Sequence, residues 1–223
     1  MNKPKLYIIG SSHAARLFKS LKLFKIRDKY DVINLTKPGS TFQNIDYPKN
    51  VKDSDIILGQ LFGNDVFEKH IKITQGKMNN TIHLTKYKPI PLENLKKLFT
   101  KFVEIMSQYP CKIYLFDLIL RHIGCCPAHH YPDLVKYQRQ VNKDLETILL
   151  NSNIKLLNHL KYLEKQFRWT KKIENYKKMF VDTVHFYPVH YQTMVRAFLG
   201  KELNFWVQKK KERFHHPVTL DSV

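Results

Sequence analysis

No stretch of this 223-residue chain is apolar for long enough to cross a bilayer. The run from Leu6 to Ile9 is also too brief for the core of a secretion signal, so neither a transmembrane segment nor a signal peptide is read. The sequence predicts an intracellular chain, or a domain excised from a larger one, with no compartment indicated. Cysteine is scarce: Cys111, Cys125 and Cys126 are odd in number and two are adjacent, which excludes a disulfide framework and fits a reducing compartment. Acidic residues are scarce too, 19 Asp and Glu against 38 Lys and Arg, for a net charge of +19. Such a diffuse positive field attracts nucleic acid or an anionic lipid surface without encoding sequence specificity, and a solvated lysine-rich surface accounts for it equally well. Internal repeats, low-complexity tracts and Pro- or Gly-rich linkers are all missing, so nothing divides the chain. Residues 1–208 are expected to close one core, and 209–223, opening on Lys209-Lys210-Lys211, to form a basic, poorly ordered tail.

Strands and helices alternate along what is there. Lys5 to Ile9 reads as a buried strand, Gly10-Ser11-Ser12 as a tight turn and Ala14 to Leu23 as a helix. Asp31 to Leu35 and Asp55 to Phe62 read as further strands, ending in Lys37-Pro38-Gly39-Ser40 and Gly63-Asn64-Asp65. Leu92, Leu95, Leu98, Phe99, Phe102 and Ile105 recur at helical spacing, Lys112 to Leu118 is a fourth strand, Tyr131 to Leu150 a helix and Ile154 to Asn158 a fifth strand. Tyr191, Met194, Val195, Phe198, Leu199 and Trp206 line one face of a C-terminal helix. Alternation of this kind implies a parallel sheet covered on both faces, with ligands at the carboxyl ends of its strands. One segment departs from it: 70–74 and 81–87 read as an inserted hairpin that would wall or cover the site.

Four turns carry the residue types that ester hydrolysis needs: a nucleophile with a base, a carboxylate to orient the base, and donors for the developing oxyanion. Ser12 opens a helix directly after the first strand. Gly39 has no side chain to obstruct approach to its amide, and Asn64 offers a neutral donor at the same edge. Asp182 and His185, three residues apart, can meet on one turn so that the carboxylate fixes the imidazole tautomer. Each has a plainer reading alone: a helix cap for Ser12, a Pro-Gly turn for Gly39, turn chemistry for Asn64 and a chance pair for Asp182 and His185.

Taken together, Ile9-Gly10-Ser11-Ser12-His13-Ala14-Ala15-Arg16-Leu17, Pro38-Gly39-Ser40, Phe62-Gly63-Asn64-Asp65 and Asp182-Thr183-Val184-His185 resemble the four sequence blocks of the SGNH (GDSL-like) hydrolase superfamily. The blocks run from residue 9 to residue 185, most of the chain. The resemblance implies a flavodoxin-like three-layer α/β/α sandwich with a central, mostly parallel five-stranded sheet. It further implies Ser12, His185 and Asp182 as a catalytic triad, and the Ser12 amide, Gly39 amide and Asn64 side chain as oxyanion hole. The expected activity is hydrolysis of a small acyl ester with no cofactor and no metal. Ser11 departs from the pattern, since many members carry Asp there. A Gly-x-Ser-x-Gly elbow is absent, which separates the chain from classical α/β-hydrolases.

Other signals are weaker. His122, Cys125, Cys126, His129 and His130 crowd a segment after the fourth strand, but they lack the separated Cys-x-x-Cys of a zinc ribbon and read as an active-site edge loop. Arg121 in the same region reads as a surface ion pair or an anion contact. Phe167-Arg168-Trp169 in a basic run reads as core aromatics or a nucleic-acid or membrane platform. The alternatives to an esterase are a binding module of the same fold docking on nucleic acid or anionic lipid, and an acyltransferase using the same acyl-enzyme.

Overall fold

Short runs rich in Ile and Leu form the sheet, and their burial reflects their position in it. In the computed structural model, which describes residues 3–21, 25–60, 63–66, 72–73, 82–83, 89–118, 131–159, 161, 185–200 and 203, strand β1 (Lys5–Gly10) is buried from Leu6 onward and β3 (Ile56–Gln60) throughout. Strand β2 (Asp31–Thr36) is only half-buried. A strand buried on both faces must have cover on both sides, which is the setting of a central parallel strand. β1 pairs in parallel with β2 on one side and with β3 on the other. Two further strands appear beyond an antiparallel hairpin of β4 (Lys72–Ile73) and β5 (Ile82–His83): β6 (Lys112–Phe116), parallel to β3, and β7 (Ile154–Leu157), parallel to β6. The order is β2-β1-β3-β6-β7, a wholly parallel five-stranded sheet of flavodoxin-like order.

The helices follow from apolar stripes. In α2 (Leu92–Met106), Leu95, Phe99, Phe102 and Met106 are the buried positions, so the stripe expected to include Ile105 turns onto Met106 instead. Helix α1 (Ser12–Leu21) buries Ala14, Leu17 and Leu21, and packs against α4 (Pro188–Met194), which runs on into a π-helical turn, Val195–Leu199. Helix α2 packs against α3 (Tyr131–Leu149). Each buried Leu or Phe contributes roughly 1.5–3 kcal/mol by leaving water.

The chain leaves β1 for β2 on one side and later crosses to β3 on the other, so the order reverses at β1. Ligands bind in α/β sheets of this kind at the carboxyl end of such a switch point. Among the described residues no helix is long and apolar enough to cross a membrane. The proposed tail 209–223, Phe167 to Trp169, Arg121 and the His122 to His130 cluster lie outside the described residues.

Candidate active site

The turn after β1 is built by a glycine that nothing else replaces. Gly10 sits at φ +128°, and a Cβ there would lie 2.1 Å from the Gln60 carbonyl oxygen at the end of β3. The Ser11 amide donates to that same carbonyl over 3.3 Å, and the Ser11 carbonyl accepts from Ala15, closing the first turn of α1. Ser11 is therefore the cap, and Ser12 is the first helical residue. This removes the helix-cap reading of Ser12, because the capping position belongs to its neighbour.

The Ser12 hydroxyl faces His185. Its Oγ lies 2.9 Å from His185 Nε2, across 173 residues of sequence. With the proton on Nδ1 the serine donates to Nε2, which is the arrangement a general base requires. His185 is half-buried and immediately precedes Phe186, whose ring is fully buried. Asp182, the expected third member, lies outside the described residues.

The other two predicted donors lie on turns that are tied together. Gly39 adopts φ +78°, a left-handed conformation glycine tolerates, and no atom lies within 4 Å of where a Cβ would stand. Asn64 Nδ2 donates to the Ser40 carbonyl over 3.0 Å, tying the turn after β3 to the turn after β2. That bond uses one of the two N–H groups of the amide. Asp65 accepts from the Phe42 amide at 3.0 Å and joins the same two segments a second time.

Ser12 and His185 border a pocket of about 410 Å³. Helix α1 lines it through Ala15, Arg16 and Lys19, and Pro38, Pro188 and Tyr191 line it from other segments.

Two polar arrangements here were not anticipated in sequence. His13, buried beside the nucleophile position, has Nδ1 2.8 Å from the Tyr191 hydroxyl, and its ring centroid lies 5.1 Å from that of His185. Tyr191 carried only an apolar signal, as one member of a helical stripe. The second is a buried pair of Asp117, directly after β6, and His159, just after β7. Asp117 Oδ1 accepts from the His159 amide at 2.9 Å and also contacts His159 Nδ1. The His159 ring packs edge-on against Phe186, with centroids 5.9 Å apart. The signal that singled out Asn64, a polar residue at the carboxyl end of a strand, applies equally to Asp117 and His159. In α4, burial pushes the His190 imidazole down from 6.5 to about 4.

No protein-family model matches the chain, and no curated protein sequence matches it. Similar solved structures do exist. The Bacillus subtilis protein YxiM superposes with a TM-score of 0.58 at 13% identity, covering 92% of this chain and 58% of that one. An acetyl xylan esterase, AlAXEase, gives 0.55 at 12% identity over 89% of this chain and 98% of its own. Esterase EstA from Pseudoalteromonas, in a structure inhibited by monoethylphosphonate, gives 0.50 at 14% identity over 91% and 100%. The chain shares its fold with solved esterases. At these identities the likeness is one of backbone architecture, and this chain spans 58% of the length of YxiM.

Proposed function

We propose that this protein is a serine ester hydrolase of SGNH type, with Ser12 as nucleophile and His185 as general base. The observation that carries the reading is the 2.9 Å approach of Ser12 Oγ to His185 Nε2 at the carboxyl edge of the sheet, beside an open pocket. Ser12 attacks the ester carbonyl, its Oγ–carbon bond forming as its proton passes to His185 Nε2. The carbonyl oxygen takes the negative charge and is held by the amides of Ser12 and Gly39 and the second N–H of Asn64. As the intermediate collapses, the bond to the alkoxy group breaks and His185 returns its proton to the departing alcohol. Water then gives its proton to His185, attacks the acyl-enzyme and releases the acid, restoring Ser12. Asp182, three residues before His185, is assigned as the carboxylate that holds the imidazole tautomer.

EstA is inhibited by a phosphonate, which makes a phosphonate the natural probe here. An alkyl phosphonate probe is expected to label the wild type on Ser12 and to leave Ser12→Ala unlabelled, with loss of short-chain ester hydrolysis in parallel. Equal rates in both proteins would refute the assignment. Release of the acyl group to an alcohol or amine in preference to water would make the protein an acyltransferase. The net charge of +19 favours a second reading, a module of this fold docking on nucleic acid or anionic lipid. Salt-sensitive binding to RNA, DNA or anionic vesicles without probe labelling would select it.

A further inference from the structure

A buried histidine stands beside the nucleophile and touches the base. His13 follows Ser12 in α1, and since successive helical positions turn by about 100°, the two side chains leave on different faces. Ser12 is half-buried and borders the pocket, whereas His13 is 4% exposed. The His13 ring centroid lies 5.1 Å from that of His185 with the planes tilted by 47°, a contact separation for two rings. A Cβ on Gly63 would stand 4.0 Å from His13 Cδ2, so the same ring also borders the turn that carries Asn64. An aliphatic side chain could fill this place without the cost of burying polar nitrogens. What the imidazole adds is a bond: the Tyr191 hydroxyl, brought by α4, lies 2.8 Å from its Nδ1. The χ2 torsion of a histidine is soft, and a hydrogen bond to a ring nitrogen sets the ring plane that packing alone leaves loose.

We propose that His13 is a positioning residue for ester hydrolysis: fixed by the Tyr191 hydroxyl, its ring keeps His185 Nε2 directed at Ser12 Oγ. The proposal rests on Ser12 and His185 being the reacting pair. A general base works only while its nitrogen stays within hydrogen-bond reach of the hydroxyl it deprotonates. Tyr191 reaches that base by two routes. Its hydroxyl acts through the His13 ring on the His185 ring, and its own buried ring lies 5.9 Å from that of Phe186, the residue after His185. The first route governs the plane of the imidazole and the second the backbone that carries it. Asp182, assigned to hold the tautomer, and His13, holding the ring plane, then have separate tasks.

Two substitutions separate the ring from the bond. His13→Asn keeps an amide atom where Nδ1 stood and removes the ring that touches His185, whereas Tyr191→Phe keeps both rings and removes the bond. With a short-chain nitrophenyl ester, His13→Asn is expected to lower kcat roughly thirtyfold and to leave KM within about twofold, since a displaced base slows the chemical step without loosening the substrate. The double variant should lose no more kcat than His13→Asn alone, because the Tyr191 hydroxyl acts on the base through the ring already removed. Rates are compared at a temperature where circular dichroism shows each variant folded. An unchanged kcat in His13→Asn, or multiplied losses in the double variant, overturns the proposal while leaving the hydrolase reading intact. Should His13→Asn not fold, Tyr191→Phe decides alone, and an unchanged kcat there overturns it. Absence of any Ser12-dependent turnover in the wild type would instead sink the hydrolase reading. The nitrogen-15 signals of the His185 ring, assigned by their loss in His185→Gln, then test the positioning by itself: a shifted Nε2 signal in Tyr191→Phe supports it, and coincident signals overturn it.

Discussion

Two histidines at the carboxyl edge of one sheet each hold an oxygen partner, and their surroundings give them different fates. His185 is half-buried, faces the Ser12 hydroxyl at 2.9 Å and opens onto a pocket. His159 has no exposed side-chain surface, faces Asp117, itself 1% exposed, and packs against Phe186. The ingredients are alike, but the first pair is partly exposed beside a pocket, while the side chains of the second are almost wholly buried. The second joins the ends of β6 and β7 and braces the residue that follows His185. A carboxylate–histidine pair is thus a structural device when water and ligand are kept out, and a hydrogen-bonded histidine is a candidate base when they are let in.

The largest expected effects separate these two roles. Ser12→Ala should lower kcat/KM for a short-chain ester by roughly a thousandfold or more, because the covalent route is lost, while moving Tm by no more than a few degrees. Asp117→Ala should do the reverse. It strips a buried imidazole of its partner and costs about 3 kcal/mol, lowering Tm by roughly 6–12 °C for a chain of this size. Its kcat at a temperature where the variant is folded should fall far less than that of Ser12→Ala. Calorimetric Tm and initial rates measured on both variants check this division. A thousandfold rate loss in Asp117→Ala with unchanged Tm would erase the contrast between the two pairs.

The acid limb of stability sharpens the comparison at a third histidine. Burial holds the folded-state imidazole of His190 down at about 4, against an ordinary value of 6.5. Between those values the unfolded chain binds a proton that the folded chain does not. His190 therefore takes stability away as pH falls from about 6.5 toward 4, by at most about 3 kcal/mol, and has no effect on stability through titration above pH 7. Urea midpoints at pH 7 and at pH 4.5 should differ less in His190→Gln than in the wild type. An identical acid loss in both would assign the effect to other groups.

The parallel sheet was legible because its signals are local: buried runs such as Leu6 to Ile9, the first three of them closed by glycine-bearing turns, in alternation with helical stripes. The proximity of Ser12 and His185 was legible only through the order of the four blocks, since no spacing rule links residues 173 apart. Gly10 passed as an ordinary turn residue, because its real constraint is the Gln60 carbonyl on another strand, a contact that exists only once β1 and β3 are paired. Asn64 was read as an oxyanion donor, and the structure shows its side chain bonded to the Ser40 carbonyl, joining two turns. Asp117 and His159 were missed for the same reason as Gly10. Each carries a polar signal at the end of its own strand, but they become a pair only when β7 lies beside β6.

The smallest effect expected is at Tyr191, where apolar and polar roles overlap. Its ring is buried in the stripe that packs α4 onto the core, and its hydroxyl lies 2.8 Å from His13 Nδ1, while the His13 ring sits 5.1 Å from His185. Tyr191→Phe keeps the ring and removes the hydroxyl, so the packing stays and the bond to His13 goes. The cost should be about 1 kcal/mol, a fall in Tm of roughly 2–4 °C. His13 then gains freedom to turn against His185, and a base displaced from its nucleophile slows the chemical step more than it weakens substrate binding. A several-fold fall in kcat with little change in KM is the expected result. A change confined to Tm would make the Tyr191–His13 bond a support of the core alone, and would leave the orientation of His185 to the segment braced by Phe186 and His159.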